Sequence, residues 1–451
     1  TYDVTFELKE DQVVGSTGVP LEGDPGWEGA AAPGTGPIRY QREFYGPRGG
    51  APCVQGPAGE VVCGVPAQEE GPPARHPLGL LEPFAGTGWK QVRFFARDVH
   101  HFAWSTSPDY TYEHGSFGDV AIHVLYQPGD EESWGNGIAV QRTATALEWL
   151  DWVFGPYLYP QVTNVHRIEG GGTEFPMMVM DGSASLSLII HEVGHIYAMG
   201  MLANNEWKEG WLDEGLSTFQ TSWFAEKTGL GGDVWGSPEM RVLDLELRGL
   251  SEPVVQPAER FATQGVYGAM VYTKGSLIFR MLRDMAGEEA FRDVLRAYFE
   301  RYQLRHVDQE AFQTVAEEIL RRDLDWFFGQ WLHATGVVDY GIGSVQVRSG
   351  AGTGFETEIR LERHGEMVMP VPLRLEGPGH VFDTVVDGSG RSGTVRVRTA
   401  WKPERVRIDP HGSILDWYGV NDHWPRGVLK SSSTTRSFGD PFRPVAPARR
   451  E

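Results

Sequence analysis

Apolar residues recur along this chain with two periods, and the switches between them mark its elements. From Thr1 to Val14 they alternate with polar ones, which predicts a half-buried strand beginning at the first residues. Lys90–Trp104 alternates again and Val120–Tyr126 is a continuous apolar run; both predict strands, with His100, His101 and His123 as ordinary strand residues rather than a second metal site. Val140, Ala144, Leu147 and Leu150 stand at helical spacing, so a helix is expected from Gly137 to about Phe154. Phe175 to Met180 reads as an apolar strand whose Pro176 marks a sheet edge. Leu186, Ile189, Ile190, Val193, Ile196 and Tyr197 then follow at helical spacing behind serines suited to an N-cap, and predict a buried helix. Leu216 to Ala225 continues as an amphipathic segment, and another helix is expected to begin just after Tyr272. Beyond Tyr340 the pattern is wholly β. Val345 and Val347, then Thr357, Ile359 and Leu361, then Met367 to Leu375 alternate between glycine turns, predicting a small sandwich that ends near Ile408.

Two stretches carry no period. Residues 15 to 88 are rich in Gly and Pro and hold both cysteines, Cys53 and Cys63, at a spacing that allows a disulfide closing a hairpin or two buried thiols. Pro425 to Glu451 reads as an extended tail. At 451 residues the chain exceeds one ordinary core, so several domains are expected. The net charge of −21 argues against nucleic acid as a partner, and no apolar run approaches the roughly 20 residues of a membrane span. The oligomeric state is not readable. Thr1 begins inside a strand pattern without an initiator Met, so a processed or trimmed product is expected, and with the cysteine pair this favours export over a cytoplasmic location.

The chemistry concentrates in His191-Glu192-Val193-Gly194-His195. Four residues apart on a helix, the two imidazoles leave one face and converge on one ion, with Glu192 beside them to hold a water. The bland alternative is a pair of core histidines with satisfied hydrogen bonds. Against it stands Trp211-Leu-Asp-Glu214-Gly, whose antiparallel return would bring Glu214 opposite the histidines. Two imidazoles and one carboxylate with a fourth position left to water is the arrangement of catalytic zinc, one ion per chain. Gly170, Gly171 and Gly172 let a backbone approach an extended peptide, which an exposed edge can accept as an added strand, with Glu174 at the end of that groove. Taken alone, the same residues make a turn followed by a solvated glutamate, and Tyr272 a packing residue.

HEVGH at 191–195, Glu214 after eighteen intervening residues, GGTEF at 171–175 and Tyr272-Thr-Lys-Gly resemble, in this order, the gluzincin metallopeptidases of the aminopeptidase N family. Phe102-Ala-Trp-Ser-Thr-Ser-Pro-Asp-Tyr and Asp323-Leu-Asp-Trp-Phe-Phe-Gly-Gln-Trp-Leu-His-Ala-Thr-Gly extend the likeness. The resemblance implies an α+β multidomain fold. Its parts would be an N-terminal β-sheet domain over 1–118 interrupted by the 15–88 insertion, a thermolysin-like α/β catalytic domain over 119–340, a C-terminal β-sandwich over 341–420 and a tail over 421–451. It also implies zinc on His191, His195 and Glu214, Glu192 as general base, Tyr272 as donor to the oxyanion, and Glu174 with Gly171 and Gly172 as the site for a peptide's free amine. Thr173 stands where the family usually has Met, and Phe175 where it has Asn. The expected activity is that of a zinc aminopeptidase on peptide substrates. An endopeptidase or oligopeptidase on the same scaffold and a peptide-binding protein without turnover are the alternatives.

Overall fold

The computed structural model describes residues 1–32, 54–55, 61–62, 88–350 and 354–426. They fall into two compact units, Thr1–Glu148 with Tyr157–Ile196, and Trp149–Pro156 with Tyr197–Glu451.

The first unit is mainly β. The strand expected from Thr1 to Val14 is two strands, Tyr2–Lys9 and Val13–Ser16, because Glu10, Asp11 and Gln12 are polar in succession and turn the chain, Gln12 N–H donating to Lys9 O at 3.1 Å. Tyr2–Lys9 and Val19–Glu22 flank Trp89–Ala96 in an antiparallel sheet, and Val13–Ser16 pairs with Trp104–Ser107. The expected strand Lys90–Trp104 is therefore also broken, at the left-handed Asp98 (φ 58°), and His100 and His101 lie in the connecting loop rather than in a strand. His123 does lie in a strand. Its imidazole meets the Tyr112 hydroxyl at 2.8 Å and stacks on Trp27, and burial lowers its pKa to about 3, so it is a neutral core residue.

The largest sheet of this unit runs Gly172–Phe175, Met178–Asp181, Gln161–His166, Val120–Tyr126, Thr111–Phe117, with its three central strands parallel and both outer ones antiparallel to their neighbours. The apolar stretch from Phe175 to Met180 is thus a hairpin and not one strand. Pro176 cannot donate to a ladder and Met177 is left-handed (φ 64°), so the two form the turn, and the edge strand is Gly172–Phe175. The buried Thr17 hydroxyl fixes that turn by donating to Pro176 O at 3.1 Å. Helix Leu186–His195 packs on the two strands of the hairpin. The Ser185 side chain caps it, accepting from Leu188 N–H, and Ile189, Ile190 and Val193 are fully buried.

The second unit is helical and then β. Its helices include Glu214–Thr228, closed by the left-handed Gly229, Gly236–Leu247, Glu288–Tyr302, Gln309–Leu320 and Asp325–His333. Trp211, Phe219, Phe279, Phe312 and Phe328 make their shared aromatic core, with ring centroids 5.1–6.2 Å apart. After Tyr340 come the two expected sheets, of three strands (340–349, 355–363, 392–399) and four (380–386, 371–377, 405–408, 423–424). Alternate residues of their strands are buried, among them Ile359, Leu361, Val371, Leu373 and Leu375. The helix expected from Gly137 is observed as Ile138–Val153. Val54–Gln55 and Val61–Val62 pair antiparallel; Cys53 and Cys63 themselves, and the tail beyond Arg426, lie outside the described residues.

Candidate metal centre

One helical turn apart, His191 and His195 bring their Nε2 atoms to 3.1 Å with the rings nearly perpendicular, at 89°. Two imidazole nitrogens so close either share a proton or face one cation. Ligands bound tetrahedrally at about 2.0–2.1 Å from zinc stand roughly 3.3 Å from each other, so the spacing fits a metal edge. Glu214, the first residue of its helix, supplies the carboxylate: one ligand atom from each of His191, His195 and Glu214 lies within 4.8 Å of the others. Two nitrogens and an oxygen suit zinc. The group Glu317, Asp323 and Asp325 is all carboxylate and largely exposed, without an imidazole.

Glu192, next along the helix, is 4% exposed and turns toward the edge strand. A Cβ on Gly172 would lie 2.1 Å from its Oε1 and Cδ, so the carboxylate occupies the space that any side chain at 172 would fill. Gly171 is left-handed (φ 79°), and Gly182 N–H donates to its carbonyl at 2.8 Å, which sets the entry to the strand. Thr173, where the resembled family has Met, accepts from Arg167 Nη1 at 2.6 Å and so ties the edge strand to the end of Gln161–His166. Glu174 is half-buried on the edge strand opposite Val179, and a carboxylate oxygen comes within 4.8 Å of a His195 nitrogen.

Tyr272 does not precede a helix, as the sequence suggests, but sits inside one. Gln264–Ala286 is continuous, its middle section Gly268–Lys274 widened to a π-helix; Gly268 keeps ordinary helical angles and breaks nothing. The Tyr272 hydroxyl donates to Glu214 Oε1. Behind this contact lies a pair of residues without an assigned role in the sequence reading. A Cβ on Gly215 would meet the Gly275 backbone at 3.0 Å, and one on Gly275 would meet Gly215 Cα at the same distance. Only glycine at both positions lets the helices of Glu214 and Tyr272 come this close. The signal was legible: glycine inside a helix costs about 1 kcal/mol relative to alanine, and here it is the last residue of both Trp211-Leu-Asp-Glu214-Gly and Tyr272-Thr-Lys-Gly. Asp181 was missed as well. Fully buried opposite Gly172, it has its carboxyl pushed up to about 7 by desolvation, against the opposing pull of Asn164 and Arg167.

Comparison with known proteins finds a family match over this part of the chain. Residues 178–331 match the Peptidase family M1 domain, an interval that holds both histidines, Glu192, Glu214 and Tyr272 and starts just after Glu174. Aminopeptidase N of Caulobacter vibrioides is 30% identical over 246 residues, 48% of this chain and 28% of that protein. Human glutamyl aminopeptidase is 25% identical over 159 residues, 33% of this chain and 16% of its own length. The chain thus spans under a third of the length of these relatives. In fold it is similar to a crystal structure of Legionella pneumophila aminopeptidase A in complex with aspartic acid, with a TM-score of 0.59 at 16% identity, over 74% of this chain and 41% of that one. The α+β architecture expected from the sequence is the one observed, and over residues 178–331 the chain matches the Peptidase family M1 domain and is similar to aminopeptidase N.

Proposed function

We propose that the protein is a zinc-dependent aminopeptidase that hydrolyses the first peptide bond of a peptide. The observation that carries the proposal is the convergence of the His191 and His195 nitrogens at 3.1 Å beside Glu214, with Glu192 laid against the edge strand that bears Glu174. His191, His195 and Glu214 would hold the ion. When bound, zinc supplies Lewis acidity toward the scissile carbonyl and lowers the pKa of a water from about 15.7 to about 7.

The remaining work falls to side chains of the chain itself. Glu192 takes a proton from the attacking water and passes it to the departing amine. Tyr272, whose hydroxyl is a donor beside Glu214, serves the carbonyl oxygen as negative charge develops on it, a contribution typically of about 3–4 kcal/mol at the transition state. Among the described residues Gly172–Phe175 is an edge strand, and its free edge is offered to an extended substrate, with Gly171 and Gly172 as backbone contacts. Glu174, near His195, accepts the free α-ammonium and thereby fixes the first peptide bond at the metal.

The test is cleavage of one peptide with a free and with an acetylated N-terminus, by the zinc-loaded protein and by Glu192→Gln. Cleavage of the free form alone, abolished by the substitution, is the expected result. Equal cleavage of both forms would replace the proposal with an endopeptidase, and no cleavage of either would leave a peptide-binding protein.

A further inference from the structure

The helical run that carries Tyr272 contains no proline, yet it widens over Gly268–Lys274, where Gly275 N–H reaches back five residues to Met270 O. A π turn holds one residue more than the α turn it replaces, and it persists where the side chains around it are held elsewhere. Relaxation to α geometry would rotate the residues before it by about 100° relative to those after, and the Tyr272 hydroxyl would leave Glu214.

At the C-terminal edge of the wide turn stands Lys274, wholly buried. Its Nζ lies 2.8 Å from Glu246 Oε1 and 5.8 Å from the centre of the Trp331 ring. Glu246 is held in turn, accepting from the Ser251 hydroxyl at 2.7 Å and from Gly336 N–H at 3.2 Å. The lysine is thus directed at a fixed carboxylate on Gly236–Leu247, while Tyr272, two residues earlier, is directed at Glu214. A buried ion pair is a poor stabiliser, because desolvation offsets most of the attraction, and apolar replacements are often as stable. Its value lies in specifying one arrangement.

We propose that Lys274 is a positioning residue: its pair with Glu246 fixes the phase of the wide turn, so that the Tyr272 hydroxyl is presented at Glu214. The kinetic consequence rests on the aminopeptidase reading above; the structural one does not.

The test uses the full chain and the variants Lys274→Met, Lys274→Met/Glu246→Gln, Tyr272→Phe and their combination. The paired variant removes both charges; the amide oxygen introduced by Glu246→Gln can accept from Gly336 N–H while its NH2 donates to the Ser251 hydroxyl oxygen, so no unpaired charge is left buried and the variant is expected to fold even where Lys274→Met alone does not. Amide hydrogen exchange is read over residues 268–275 and, as an internal control, over 186–195. Exchange should rise about tenfold or more in the first segment and stay unchanged in the second. With a peptide substrate, kcat should fall by about the factor that Tyr272→Phe produces, roughly a hundredfold, with KM nearly constant and no further loss when the variants are combined. Unchanged exchange over 268–275, or losses that multiply in the combined variant, would overturn the proposal. If the unmodified protein cleaves nothing, the aminopeptidase reading fails, and the exchange comparison alone decides whether Lys274 holds the turn.

Discussion

Gly172 illustrates how much one absent methyl group decides. The Glu192 carboxylate lies where its Cβ would be, at 2.1 Å, and the backbone there is not left-handed, so the glycine answers to the glutamate and not to its own conformation. Gly172→Ala is expected to cost roughly 1–3 kcal/mol, because the Cγ, Cδ and Oε1 of the buried Glu192 have to move. Displacement of Glu192, the proposed general base, by an ångström or more should also lower kcat/KM about a hundredfold. Urea denaturation and kinetics on one peptide check both halves, and unaltered turnover would show that Glu192 works from elsewhere. At this scale the sequence was explicit about identities. His191, Glu192, His195 and Glu214 were readable from helical spacing and order, whereas the contact between Glu192 and Gly172 was not, since it joins two elements twenty residues apart.

Among elements, the five-stranded sheet carries two titratable residues in its interior with opposite pH signatures. For Asp181 the folded carboxyl has its pKa raised to about 7, while an unfolded one ionises near 3.9. Between these values the folded state keeps a proton that the unfolded state has lost. The stability is full below about pH 4 and declines as pH rises to about 7, by roughly 4 kcal/mol. His123 acts the other way: its lowered pKa means that the unfolded chain takes up a proton first, so stability falls as pH drops below about 6.5. Asp181→Asn should therefore raise the urea midpoint at pH 8 and leave it nearly unchanged at pH 4. A midpoint at pH 8 no higher than that of the parent would place an unseen partner at Asp181. In the helical unit, Gly215→Ala should cost roughly 1–3 kcal/mol, since backbone at 3.0 Å has to move, and it should also separate Tyr272 from Glu214. Equal thermal stability of variant and parent would contradict the close packing. Alternation located the strands but not their breaks. Glu10 to Gln12, Asp98 and Pro176-Met177 turn the chain through local dihedrals that a period-two pattern does not encode.

For the whole molecule, the consequence to test is metal linkage. An ion that binds the folded chain and not the unfolded one stabilises it by about 2.7 kcal/mol at a hundred times its dissociation constant. Dialysis against a chelator should lower the unfolding temperature, zinc should restore it, and in His195→Ala the difference should vanish. An unfolding temperature indifferent to the chelator would remove the metal from the account. The net charge of −21 sets an acidic surface, and among the described residues no helix is long and apolar enough to cross a membrane.

By itself the sequence proposed the residues of the candidate metal centre, and it determined the helix that bears the two histidines and the change from helical to β pattern after Tyr340, because these last two are written in spacing along one element. Tertiary structure decided the rest. It made Gly172–Phe175 the edge strand, gave Glu192 its place against Gly172, put Tyr272 inside a widened helix with its hydroxyl on Glu214, and buried Lys274 on Glu246. Each of these depends on which residues distant in sequence meet, and a periodic pattern shows that a face is buried without showing what it is buried against.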